Sequence, residues 1–239
     1  MFHQKVFETT TYNANALNGR NDMSKKLLSL VFLASIAASL VSAYAASPVK
    51  KPPPPDYFPL RVSDWWKYKT TTADGKQSEF TLKVINAEKQ PDESIRYQID
   101  TNSAVVIHDW YGKPKGLVLR YKEQFGDNNN LVANYDPVYQ YLKNPLVKDD
   151  TWDWAGKGMS GVDIKESSKV SGPEEVIVPA GKFSAMKVVT NLTQGGANIT
   201  KTYWFADWVG MIKGKTESSG ITSVSELVDY SFKKPPTEK

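Results

Sequence analysis

Apolar residues fall on every second position through most of this chain, and that period restricts the fold more than any other feature. Trp66, Tyr68 and Thr70 alternate with Lys67 and Lys69; Phe80, Leu82 and Val84 with Thr81 and Lys83; Ile95, Tyr97 and Ile99 with Arg96, Gln98 and Asp100. Leu117, Leu119 and Tyr121 alternate with Val118, Arg120 and Lys122, and Val224, Val228, Tyr230 and Phe232 share one parity near the end. A period of two puts one face of a strand on a core and the other in water, the pattern of antiparallel sheets. Asp74-Gly75 between two such runs signals a hairpin, and Gly126-Asp127 and Gly195-Gly196 mark further turns. No window carries a helical period of helix length. The pattern predicts a mainly β protein, a single antiparallel sheet of roughly ten strands with little helix.

One ten-residue phrase occurs twice. PLRVSDWWKY starts at Pro59 and PLVKDDTWDW at Pro145; without a gap they share Pro, Leu, Asp and Trp, and both end in an aromatic. In each, Pro-Leu ends an extended approach, because Pro cannot donate to a ladder. An Asp then occupies a turn, where its carboxylate can bond nearby amides. Trp-x-aromatic follows as a strand entrance. The copies lie 86 residues apart, close to half the domain, which suggests two related β-meanders, each opened by this phrase. The plainer reading is recurrent strand punctuation, and the residues after the two copies align poorly.

The N-terminal region reads as a leader. Lys25 and Lys26 precede an apolar run from Leu27 to Leu40, and small residues lead to Ala43-Tyr44-Ala45. That is the order of a secretory signal, and the run falls short of the about 20 residues that span a bilayer. The expectation is a signal peptide over 23–45, with Met23 as the true start, 1–22 an upstream mis-start, and no transmembrane span after cleavage. Residues 46–56 follow as a Pro-rich linker whose four prolines favour an extended polyproline helix. The β domain is expected over 57–232 and a disordered tail over 233–239. Periplasmic or extracellular location follows from the signal.

Charge and residue usage exclude several functions. Residues 1–45 hold four basic and two acidic residues, which leaves 26 and 24 in the mature part. That balance gives nucleic acid no electrostatic footing. The chain has no Cys, so it has no disulfide, no reactive thiol and no thiol to lipidate. His108 is the single His of the mature chain, and no nucleophile-elbow glycine pattern surrounds any Ser. Zinc sites need several His or Cys ligands, and no phosphate-binding glycine loop is present. Gly126–Asp136 offers oxygen ligands but lacks the glycine and closing Glu of a calcium loop. No cofactor, metal or catalytic residue is expected. One opening for enzymology stays: Asp149, Asp150 and Asp153 flank Trp152 and Trp154, and a glycosidase needs two carboxylates with sugar-stacking aromatics.

The positive signal is aromatic. Seven Trp and twelve Tyr are more than a core of this size requires as packing alone, and adjacent Trp65 and Trp66 must face opposite sides of a strand. The same alternation separates Trp204 from Tyr203 and Phe205. Trp65, Trp110, Trp154, Trp204 and Trp208 are therefore the candidate ligand-binding residues.

Three stretches together carry a resemblance: Tyr57-Phe58-Pro59-Leu60 leading to Trp66 and Tyr68; Val178-Pro179-Ala180-Gly181-Lys182-Phe183 followed by Met186-Lys187-Val188; and Tyr203-Trp204-Phe205-Ala206 leading to Val209-Gly210-Met211-Ile212-Lys213. The set resembles uncharacterised bacterial exported proteins and lipoproteins. The resemblance implies a curved antiparallel sheet similar to the half-barrels of lipoprotein carriers, and no catalytic residue. This chain departs from the lipoprotein members in lacking the lipidated Cys. Three functions stay open: a non-enzymatic domain binding an apolar or amphipathic ligand, with a lipid or another envelope component as partner; a structural or interaction protein with a filled core; and a carbohydrate-binding or carbohydrate-active protein. Whether the concave face is filled or hollow separates the first two.

Overall fold

The computed structural model describes residues 52–127 and 131–232. The expected leader over 23–45, the segment before it and the tail over 233–239 lie outside the described residues, as do Asn128–Asn130 of the polar loop. Twelve strands form: β1 (Trp65–Thr72), β2 (Gln77–Lys89), β3 (Ile95–Asn102), β4 (Ile107–Gly112), β5 (Leu117–Phe125), β6 (Val132–Lys143), β7 (Thr151–Lys157), β8 (Asp163–Val178), β9 (Gly181–Gln194), β10 (Ala197–Ala206), β11 (Gly210–Ser218) and β12 (Ile221–Tyr230). A single 3-10 turn, Met159–Gly161, is the helical element among the described residues. The glycine turns fall where the sequence puts them: Gly75, Gly126, Gly195 and Gly196 all take positive φ between strands.

All strands belong to one antiparallel sheet in the order β6-β5-β4-β3-β2-β1-β12-β11-β10-β9-β8-β7. Each half of the chain is a six-stranded meander, and the first strand of one half pairs with the last strand of the other, β1 with β12. The sheet curls until its two ends, β6 and β7, meet without a backbone ladder. Trp154 bridges them: its indole N–H is shared by the carbonyls of Pro137 and Val138, each at 3.2 Å, and its ring lies 4.8 Å from that of Tyr139. The result is a nearly closed barrel with one laddered seam and one side-chain seam.

The repeated phrase opens each half with the same local structure. Ser63 and Asp149 both take positive φ, 77° and 69°. Their amides donate to the carbonyls of Val84 and Val170 at 2.8 and 3.1 Å, and those valines donate back to the carbonyls of Asp64 and Asp150 at 2.9 Å each. The inward pairs match as well: Trp66 faces Leu82 and Tyr68 faces Phe80, while Trp152 faces Ser168 and Trp154 faces Glu166. Every one of these correspondences spans 86 residues. Beyond them the spacing drifts but the pattern holds. A bulge follows Trp110 in the β4–β5 pairing and Trp204 in the β10–β11 pairing, which sets Asp109 equivalent to Tyr203 and Arg120 to Met211.

The core fills one end of the barrel. Trp66, Tyr68, Val84, Val118, Val170, Val188, Phe205, Ile212 and Leu227 are almost wholly buried there. Phe58 closes that end, its ring 5.1 Å from Tyr111 and 5.4 Å from Tyr141. Pro52–Pro55 are exposed, whereas Asp56 is held: its carboxylate takes Lys113 Nζ at 2.6 Å and Asn144 Nδ2 at 2.8 Å, and its carbonyl accepts the Trp208 amide at 2.7 Å.

Two expectations about strand faces are corrected. Leu117, Leu119 and Tyr121 were expected on the core side of β5; instead Val118 is fully buried and Arg120 points inward. Bulges on both sides of Arg120 shift the parity, and two carboxylates inside the barrel balance its charge. In β12, Leu227 rather than Val228 faces the core, because a bulge displaces the register opposite Lys67 and Tyr68.

Candidate functional site

The equivalent halves fill the barrel differently, and the difference defines the site. Beside the β1–β12 seam the inward residues Phe80, Leu82 and Met211 pack around Trp66 and Tyr68, with the Tyr68 and Phe80 rings stacked at 5.1 Å, and a cavity of about 60 Å³ remains. Beside the β6–β7 seam the equivalent positions, on β8 and β5, hold Glu166, Ser168 and Arg120. There the interior is open, with cavities of about 220 and 200 Å³ that share Arg120, Tyr139 and Lys201 in their walls. The outer cavity has an apolar rim from Phe125, Met159, Ile164 and Leu192; the inner one is floored by Tyr111, Tyr141, Tyr203 and Phe205.

Fixed charges stand between rim and floor. Arg120 Nε donates to Asp109 Oδ1 at 2.9 Å, and its Nη2 also reaches Asp109 and lies 2.7 Å from Glu123 Oε1. The Tyr135 hydroxyl donates to the other Glu123 oxygen at 2.8 Å. Burial raises the Asp109 pKa, opposed by the guanidinium beside it. Glu166, 8 % exposed, is also pushed above its ordinary value by burial; a hydrogen bond from Tyr139 and the charge of Lys201 pull it part of the way back. Burial holds the Tyr139 and Tyr141 hydroxyls well above their usual range, so both are neutral donors. Ser168 and Thr190 bond each other at 2.8 Å in the wall behind. Lys201 makes no hydrogen bond or ion pair among the described residues.

Of the five candidate tryptophans, Trp154 lines the outer cavity, where its ring meets Tyr135 edge-on at 5.8 Å. The other four are elsewhere. Trp65 is half-buried on the face opposite Trp66. Trp110 lies outside with Lys122 Nζ 4.2 Å from its ring, and Trp204 lies outside with its indole N–H 2.5 Å from Glu174 Oε1. Trp208 sits in the β10–β11 turn at φ 58°. Strand alternation likewise parts the carbohydrate constellation: Trp152 and Trp154 are buried, while Asp149 and Asp153 are exposed. His108 is half-buried with Nδ1 2.8 Å from Asp100 Oδ1. No group of three His, Asp or Glu among the described residues could hold a metal, and no helix among them is long and apolar enough to cross a membrane.

Sequence reasoning missed Arg120, Glu166 and Lys201. The available signal was Glu166 itself, which stands in the second copy where Phe80 stands in the first.

No protein-family model matches the chain, and no curated protein does. Two solved structures are similar to it. One is a Parabacteroides distasonis protein assigned as a lipoprotein, 13% identical, with a TM-score of 0.47, covering 75% of this chain and 100% of that one. The other is a Bacteroides fragilis protein assigned as exported, with a YmcC-like fold, 16% identical, with a TM-score of 0.44, covering 74% and 99%.

Proposed function

We propose that the chain is an exported, non-enzymatic binding protein that holds a small amphipathic ligand inside its barrel, beside the β6–β7 seam. The signal-like segment over 23–45 supports export. The observation that carries the binding reading is Glu166. A buried carboxylate is costly, and the fold does not need one there, because the equivalent position in the first half takes Phe80 and packs. A framework that is packed once and kept hollow and charged once is accounted for by a ligand. The order of the walls suits an amphipathic one: apolar rim, charged middle and hydroxyl-bearing floor receive a polar head inward and an apolar tail outward. Trp154 at the rim would report the ligand by fluorescence.

The test is to furnish the second half as the first. Glu166→Phe is expected to unfold cooperatively and to lose the amphiphile binding that native mass spectrometry and Trp fluorescence detect in the parent. Equal binding by Glu166→Phe would place the ligand elsewhere. Absence of binding by the parent would return the reading to a structural or interaction protein.

A further inference from the structure

We propose that the ligand's head is an oxyanion, a carboxylate, phosphate or sulfonate group, and that Lys201 receives it; this rests on the reading of the cavity as a site for an amphipathic ligand.

In the cavity's middle zone each carboxylate already holds a donor. Asp109 takes two donors of Arg120, Glu123 takes Arg120 on one oxygen and Tyr135 on the other, and Glu166 takes the Tyr139 hydroxyl. The side chains there that make no hydrogen bond carry donors. Lys201 carries three N–H donors with no hydrogen bond or ion pair among the described residues, and the hydroxyls of Tyr141 and Tyr203 in the floor make no hydrogen bond there either. Lys201 is partly buried, and an ammonium drawn from water without an acceptor loses part of its solvation. A ligand that completes this zone must bring acceptors, and one opposite a lysine gains most when it is charged.

The internal comparison points the same way. Lys201 pairs with Thr190 as Ile107 pairs with Thr101 in the first half, so the framework accepts an apolar residue at this position. Arg120 also departs from its counterpart Met211, but Asp109 and Glu123 balance its charge. Lys201 has no such balance at contact distance; its charge lowers the Glu166 pKa without forming an ion pair. Its place in the walls of both cavities sets it where a head passing the rim would stop.

The experiment uses three probes with one tail: decanesulfonate, 1-decanol and decyltrimethylammonium, titrated into the parent, Lys201→Ile and Lys201→Arg by calorimetry and Trp fluorescence. The parent is expected to bind decanesulfonate at least about tenfold more tightly than either other probe. Lys201→Ile should lose that preference, and Lys201→Arg should restore most of it. Decanol or decyltrimethylammonium binding as tightly as the sulfonate, or an unaltered preference in Lys201→Ile, would overturn the head assignment while leaving the amphiphile reading intact. Failure of all three probes to bind the parent would overturn both.

Discussion

Trp66 and Trp152 offer a matched pair for measuring one hydrogen bond. Both are inward, nearly buried, at the same place in equivalent strands, and 86 residues apart. They differ in their indole N–H. Trp66 donates to the Val209 carbonyl at 2.5 Å, whereas the Trp152 donor is buried without a partner among the described residues. Trp→Phe at either site removes the same atoms and leaves a similar void. At position 66 it also removes the donor that Val209 receives, and stranding a buried partner costs about 1–3 kcal/mol. At position 152 it removes an unsatisfied group and relieves a cost of the same kind. Trp66→Phe should therefore lose at least about 1–3 kcal/mol more stability than Trp152→Phe, because the relief at 152 adds to the cost at 66. For a domain of this size that separates the melting temperatures by several degrees, at about 2–4 °C per kcal/mol. Urea unfolding gives the free energies, provided the slopes of the two variants agree. Equal losses would refute the reasoning.

A titration and a mass measurement test other parts of the account. Burial raises the Glu166 pKa above its ordinary 4.5, so its contribution to stability is fully present below that value and is lost as pH rises through the folded-state pKa. Glu166→Gln, which keeps an acceptor for Tyr139, should be more stable than the parent at neutral pH and no more stable in acid; parallel pH profiles of the urea midpoint would contradict the burial argument. The exported protein should begin at Ala46, and intact mass spectrometry that finds residues 1–22 still attached would remove the leader from the account.

The sheet was legible because alternation survives wherever the inward residues are apolar. Phe80, Leu82, Val84 and Ile99 announced their strands, and Asp74-Gly75 announced its hairpin. Twelve strands form where roughly ten were expected by pattern alone. A reason is visible in β8. DIKESSKV reads as a polar run because its inward positions 166 and 168 are Glu and Ser, so a strand facing a cavity has no period to see. Arg120 was placed in water for a related reason: a charge inside a barrel is intelligible only once Asp109 and Glu123 are known to meet it across strands. Bulges hid the rest, since each extra residue reverses the parity of all that follows.

The poor alignment after the two copies of the repeated phrase has the same origin as the site. Outside the barrel's interior the halves agree in turn geometry, strand register and bulge position. They part at inward positions: Phe80 against Glu166, Leu82 against Ser168, Met211 against Arg120, Ile107 against Lys201. Packing constrains an interior residue by volume and polarity, so a change there from Phe to Glu requires a compensating role that packing cannot supply. The closure of the barrel divides in the same way. Backbone ladders join β1 to β12 beside the filled side of the barrel, and side-chain packing around Trp154 joins β6 to β7 beside the hollow side. Opening the first seam breaks a strand pairing; opening the second breaks side-chain contacts alone, namely the shared hydrogen bond and ring contacts of Trp154, the Tyr139–Glu166 hydrogen bond and the packing of Met159 and Ile164. The side with the charged cavity is thus also the side closed without a ladder. In the proposed complex an apolar tail at the Phe125 and Ile164 rim lies against this seam and beside Trp154.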